Sequence, residues 1–209
     1  MDAWDFTGDA PRVPSDEELS ALLAHVGLEK LSVDGNTIAL SDGAQLDLGG
    51  IAKGYAADLL RAQLEKEGVT SATLDLGGDV FVMGRKTDGS DWRIAVKDPA
   101  DTESYLGVVS AADKFIVTSG VYERYFEENG VRYHHIIDPD TLMPLNYFDS
   151  VTILCNDSGK ADALSTALFN MTIPDGKALL ENLEGVDAIW VLPDGSYDCT
   201  EGFAKLIID

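Results

Sequence analysis

Between residues 80 and 137 the chain offers one strand-like run after another, at residues 80–83, 92–96, 115–118 and 133–137, with no helical pattern among them. A doubly wound sheet needs a helix between successive parallel strands, so this order breaks strict βαβ alternation. Helical patterns lie outside that stretch, at residues 15–25, 52–68, 158–171 and 174–183. Further strands are expected at residues 31–33, 37–40, 151–155, 188–192 and 203–207. The fold class is therefore α+β: a mixed, largely antiparallel sheet with packed helices. Residues 1–209 read as one region.

Local signals set the boundaries. Ser15 and Glu18 have the spacing of a capping box, and Leu19, Leu22, Leu23 and Val26 give the following helix an apolar face. Asp34-Gly35-Asn36 and Pro193-Asp194-Gly195 supply turns, Asp138-Pro139 stops a strand, and Ser158 is the expected cap of its helix. The pentapeptide Leu-Asp-Leu-Gly-Gly occurs at Leu46 to Gly50 and again at Leu74 to Gly78, but its flanks differ, so it is a reused local device and not a repeat unit.

With 209 residues, 45% of them hydrophobic, the chain is long enough to bury a sizeable core. Its formal charge of −22, from 37 acidic and 15 basic residues, argues against nucleic acid or anionic lipid as a partner. A phosphorylated ligand would need local positive charge, a helix N-terminus or a metal. Cys155 and Cys199 are too few for a disulfide framework and too far apart in sequence for a zinc motif. No apolar run reaches a membrane span, and the opening residues Met1-Asp2-Ala3-Trp4-Asp5 lack signal-peptide character, so the chain as given is expected to be soluble.

Several segments could carry chemistry. Asp47 to Tyr55 places a strand end, Gly49, Gly50 and Lys53 at a helix start, where close backbone approach, free amides and a full charge suit an anion. The plainer reading is a turn with a solvated lysine. Asp162 and Thr166 are four apart on one helix face, a hard-oxygen pair suited to Mg²⁺; the plainer reading is an N-terminal aspartate favouring the helix dipole and a threonine bonded locally. The adjacent His134 and His135 must point to opposite faces of a strand, so one of them faces any given site, where a histidine could act as general base and Asp138 could orient it. Thr118-Ser119-Gly120 offers hydroxyls at a strand end but lacks the flanking glycines of a nucleophile elbow.

In this order, Leu46 to Ala56, Leu76-Gly77-Gly78-Asp79, Thr118 to Tyr122, His134 to Pro139 and Ala161 to Ala167 resemble the ApbE-like FAD:protein FMN transferases. The resemblance implies a T-fold-related domain and Mg²⁺-dependent transfer of FMN from FAD to a Thr/Ser hydroxyl of an acceptor flavoprotein, with AMP leaving. Hydrolysis of FAD to FMN and AMP, or a flavin-binding module without turnover, are its alternatives. It implies that Gly49, Gly50, Ile51, Lys53 and Tyr55 lie against the dinucleotide, and that Gly78, Asp79, Ser119, His135 and Ile137 line the rest of the FAD site. The Ala52 carbonyl, Asp162 and Thr166 are the implied magnesium ligands, and His135, Asp162 and Lys53 the catalytic set.

The resemblance also carries an expectation about extent: Trp4-Asp5-Phe6 matches a point well inside a full-length member, so roughly the first third of the family's usual length is expected to be missing. A full-length protein anchored outside the cytoplasmic membrane, and pairing of exposed sheet edges into a homodimer, are further expectations. One departure is local: Thr141 is followed by Leu142 where the family usually has glycine, which predicts an altered loop exit.

Overall fold

The computed structural model describes residues 1–101 and 103–208. In chain order these form α1 (Asp16–Leu23), β1 (Leu31–Asp34), β2 (Thr37–Leu40), α2 (Ala52–Lys66), β3 (Ala72–Asp75), β4 (Val80–Met83), β5 (Trp92–Lys97), β6 (Tyr105–Ala111), β7 (Lys114–Gly120), β8 (Tyr125–Glu128) and β9 (Val131–His134). There follow β10 (Ser150–Cys155), α3 (Ser158–Phe169), α4 (Ile173–Leu180), β11 (Asp187–Val191), β12 (Tyr197–Cys199), α5 (Glu201–Leu206) and β13 (Ile207–Ile208). All strand pairs among the described residues are antiparallel, as the α+β reading expects. No helix among them is long and apolar enough to cross a membrane. The contacts divide the chain into a larger unit, residues 48–120 with 146–209, and a smaller one, residues 1–47 with 121–145.

The larger unit is built on a six-stranded sheet of order β12-β11-β10-β7-β4-β3. Side chains alternate between its faces. Val82, Ile116, Leu154 and Ile189 face a second sheet, of order β13-β6-β5, and share a core with its Val96 and Val109 and with Phe203 of α5. Phe81 and Phe115 point the other way and stack on each other at 4.2 Å, with the Arg61 guanidinium of α2 over both rings. On that face α3 packs against β7 and β10, and α2 against α3. Because β10 is covered on both sides, every one of its residues is buried. Each fully buried Ile or Leu there contributes roughly 1.5–3 kcal/mol of transfer free energy.

Three expectations are corrected here. Residues 203–207 were expected as a strand but form the end of α5, to Leu206, and the first residue of β13. A short apolar run has no period that separates the two states, and the Thr200 side chain, accepting from Phe203 N at 3.3 Å, caps the helix. The cap of α3 is Asp157, which accepts from Lys160 N at 2.7 Å, and Ser158 is the first helical residue. The strand expected to reach residue 137 ends at His134, where its pairing with β8 stops; Ile137 makes only an isolated bridge to Pro144. Strand β6 escaped notice because Gly107 interrupts its pattern; a Cβ there would lie 2.7 Å from Ile207 Cδ1.

In the smaller unit Trp4, 2% exposed, stacks on Phe6 and meets Phe126 and Tyr133 of the β8-β9 hairpin, while its indole N–H donates to Leu142 O at 3.2 Å. Helix α1 carries the expected capping box between Ser15 and Glu18. The Asp138 carboxylate folds the next turn by accepting from Thr141 Oγ1 at 2.7 Å and Thr141 N at 3.2 Å. The turn leaves Leu142 at φ 58, the left-handed conformation that glycine adopts without strain. The loop thus adopts a glycine-like conformation with leucine in place.

His134 is fully buried. Its Nε2 faces Leu145 O at 3.1 Å and its Nδ1 accepts from Ile136 N at 3.3 Å, so the ring is a neutral Nε2–H tautomer. Desolvation lowers its pKa to about 4. A pKa held below the unfolded value favours the neutral ring in the fold, so its contribution is complete above about pH 6.5 and is lost as pH falls toward 4. Urea unfolding of wild type and His134→Asn between pH 7 and pH 4 is expected to show a decline in wild type that is smaller in the variant; parallel profiles would contradict this. In the larger unit, a Cβ on Gly54 would lie 2.3 Å from Ser158 O and 2.8 Å from Asp162 Cβ. Gly54→Ala is therefore expected to cost about 1–3 kcal/mol in unfolding free energy, despite alanine's better helix propensity.

Candidate functional site

The first glycine pair does not follow a strand: residues 44–48 form none, which corrects the expected strand end. Instead Ile51 N and Ala52 N both donate to Leu48 O, at 3.1 and 2.9 Å, and this turn leads into α2. Ile51, at the N-cap position, gives no side-chain cap, so first-turn amides must find other partners. Gly54 N finds Asp162 Oδ2 at 2.9 Å. A Cβ on Gly50 would lie 3.1 Å from Thr166 Oγ1. The structure therefore brings the Gly50 to Gly54 segment against the face of α3 that carries Asp162 and Thr166.

Asp162 is 4% exposed and sits in the second turn of α3, beyond the first-turn positions where the helix dipole would favour a carboxylate. Among the described residues its other oxygen accepts no hydrogen bond from protein, and neither does Thr166 Oγ1 engage one. Beside them Ser165, fully buried, donates to Asp162 O at 2.9 Å and meets Ser119 Oγ of β7 at 2.8 Å.

The second glycine pair has the opposite conformation from the first. Gly77 at φ 72 and Gly78 at φ 98 form the two-residue hairpin turn between β3 and β4, closed by Leu76 N donating to Asp79 O at 3.0 Å. Asp79, 3% exposed, then turns its carboxylate inward, with Oδ2 2.9 Å from Lys53 Nζ, while Lys53 is half exposed. Asp79 thus reaches the surface through Lys53. Tyr55 and Ile51 are exposed on the first turns of α2.

Sequence reasoning missed Gly54, Asp58 and Ser165 as parts of this arrangement. Asp58 of α2 accepts from Ser158 N at 3.1 Å and Gly159 N at 2.9 Å, so it caps α3 from a different helix. No local pattern signals a cap supplied 100 residues away. A glycine inside a helical pattern was the available clue for Gly54.

His135, Ile137 and Asp138 belong to the smaller unit. His135 lies outside the strand and is half buried, with Nδ1 3.2 Å from Arg124 O. A carbonyl only accepts, so Nδ1 carries the proton and the lone pair of the neutral ring is on Nε2. The proton on His135 thus sits on Nδ1, where His134 accepts a bond instead. Asp138 folds its own turn and holds no histidine ring by any hydrogen bond described for it. Ile137 lines a cavity of about 600 Å³ with Trp4, Leu22, Leu46, Asp47 and Leu142. Among the described residues no group of three or more His, Cys, Asp or Glu side chains is placed to hold a metal.

The FAD:protein FMN transferase of Treponema pallidum is 38% identical to this chain, over 98% of the chain and 61% of the relative. That of Klebsiella pneumoniae is 40% identical over 90% of the chain and 59% of the relative. The crystal structure of the ApbE protein from Thermotoga maritima matches with a TM-score of 0.91 at 37% identity, covering all of this chain and 69% of that one. A flavin transferase ApbE from Vibrio cholerae matches at a TM-score of 0.84 and 35% identity. The chain spans 61% and 59% of the length of the first two relatives. The ApbE family description matches residues 1–190, and with these likenesses over nearly its whole length the chain belongs to the ApbE family.

Proposed function

We propose that this chain carries the FAD- and Mg²⁺-binding part of an enzyme that transfers FMN from FAD to a Thr/Ser hydroxyl of an acceptor flavoprotein, releasing AMP. The observation that carries it is the contact of α2 and α3, where Gly54 N meets Asp162 Oδ2 at 2.9 Å beneath a glycine-rich helix start. The names of the relatives, FAD:protein FMN transferase, support the same reading.

The residues fit a magnesium ion. Asp162 has one oxygen anchored on Gly54 and the other without a protein donor among the described residues, and Gly50 leaves no side chain over Thr166 Oγ1. With the Ala52 carbonyl they form a hard-oxygen set. Bound there, the metal would supply positive charge beside the phosphates. In a chain of net charge −22, Lys53 adds local positive charge at the start of α2, where Ile51 gives no side-chain cap and Asp162 takes the Gly54 amide, for a dinucleotide along Gly49, Gly50, Ile51 and Tyr55. Asp79 holds the Lys53 ammonium in place before the ligand arrives.

In the transfer, the acceptor hydroxyl oxygen bonds to the FMN phosphorus as the bond from that phosphorus to the AMP phosphate oxygen breaks. The hydroxyl proton passes to His135 Nε2, the nitrogen left unprotonated by the Nδ1 contact with Arg124 O. Gly78, Ser119 and Ile137 complete the proposed contacts.

The primary test is AMP release from FAD with Mg²⁺, with and without an acceptor flavoprotein. Covalent FMN on the acceptor is the expected result; free FMN in its place would mark a hydrolase, and no AMP release would overturn the reading. Asp162→Asn keeps an oxygen for Gly54 N–H and removes the charge, so its melting temperature should stay close to wild type while Mg²⁺-dependent turnover falls at least a hundredfold, by analogy with lost charge stabilisation at other sites. Unchanged turnover at limiting Mg²⁺ would exclude it as a ligand. Lys53→Met should weaken FAD binding and flatten its dependence on salt, because a screened charge is removed; titration at low and high ionic strength checks both.

A further inference from the structure

Ser165 touches no solvent and has no part in the ligand set proposed above, yet it stands between two groups that do. Its hydroxyl donates to Asp162 O at 2.9 Å, and its oxygen is 2.8 Å from Ser119 Oγ. The direction of the second bond follows from the first. A carbonyl oxygen only accepts, so the single Ser165 proton goes to Asp162 O, the back-bond usual for serine inside a helix. The Ser165 oxygen is then available only as an acceptor, and being buried it must find a donor inside the protein. The donor at hand is the Ser119 hydroxyl. Ser119 therefore spends its proton inward and turns lone pairs outward.

We infer that Ser165 is a positioning residue that fixes Ser119 as a hydrogen-bond acceptor toward the ligand, so that the dinucleotide presents a donor there, a hydroxyl or an amino group, and not a phosphate oxygen. This rests on the FAD-binding reading above and deepens it. A serine free to rotate would serve a phosphate oxygen or a hydroxyl equally well. One held by Ser165 repels the phosphate oxygen with its lone pairs and selects the sugar, ribityl or base side of the ligand. The selection originates in α3, the helix that also carries Asp162 and Thr166, so contacts with the two ends of the ligand are set by one rigid element.

The test is a double-mutant cycle on Ser119→Ala and Ser165→Ala, read in two ways on the full chain. The first reading is urea unfolding without ligand. Expected is a stability loss in the double variant smaller than the sum of the single losses, as for two partners of one bond; additive losses would overturn the pairing whatever the chain binds. The second reading is FAD affinity by flavin fluorescence. Each single variant is expected to weaken binding by roughly three- to tenfold, the range of one hydrogen bond, and the double variant by no more than Ser119→Ala alone. If Ser165→Ala lowers stability and leaves FAD affinity untouched, its role is structural and the inference fails, while the FAD site stands. If wild type binds no FAD, the functional reading fails and the polarity assigned to Ser119 toward a dinucleotide falls with it. Inorganic pyrophosphate supplies the last arm: Ser119→Ala should bind it as well as wild type or better, and weaker binding would place a phosphate at Ser119 and overturn the proposal.

Discussion

The hydrogen bond from Gly54 N to Asp162 Oδ2 sets the geometry on which the rest of the site depends. It joins two helices whose backbones approach until a methyl group on Gly54 would collide with Ser158 O. That distance requires a residue without a side chain, and glycine weakens the helix it sits in by about 1 kcal/mol. Asp58 and Arg61, on the same helix, offset that loss by bonding Ser158 N, Gly159 N and Asn156 O at the start of α3. The close approach and its supports form one unit, which lets Asp162 keep one oxygen anchored and present the other.

Electrostatics follow the same logic of fixed partners. A strongly acidic chain would repel a phosphorylated ligand over most of its surface. The exceptions are local: a helix start whose N-cap residue gives no side-chain cap, and a lysine held by a buried carboxylate. In the smaller unit two adjacent histidines meet backbone carbonyls through different ring nitrogens, Nε2 of the one sealed in the core and Nδ1 of the one half exposed. Neighbouring residues of one type thus have different chemistry because each ring nitrogen meets a different backbone group.

Much of this was legible in the sequence, and the reason differs by feature. Helices α1 and α2 and strands β4, β5, β7 and β10 were readable because their patterns are long or bounded by strong turn signals. The four-residue spacing of Asp162 and Thr166 put them on one face because helical geometry is local. Strand β6 was lost to Gly107, and α5 was taken for a strand because six residues show no period. The two copies of Leu-Asp-Leu-Gly-Gly mark the limit: one turns into a helix and the other closes a hairpin, and each turn is closed by a bond to a residue just outside the pentapeptide, Ile51 and Ala52 in the first and Asp79 in the second. Contacts such as Asp58 with α3 and Ser165 with Ser119 join segments far apart in sequence and were invisible for that reason. Leu142 stands in the left-handed conformation, in a turn where the Asp138 carboxylate holds Thr141, and nothing in a leucine announces that conformation.

Burial of β10 on both faces has a kinetic meaning. Its amides exchange with solvent only when α3 on one side and the smaller sheet on the other have both come away, an opening that amounts to loss of the whole larger unit. Because α3 lies on β7 and β10, Asp162 and Thr166 sit over the part of the unit that opens last. Beside them the turn before α2 and the β3-β4 hairpin lack such cover on both faces, so the carboxylate and hydroxyl of the proposed site would form its stationary wall.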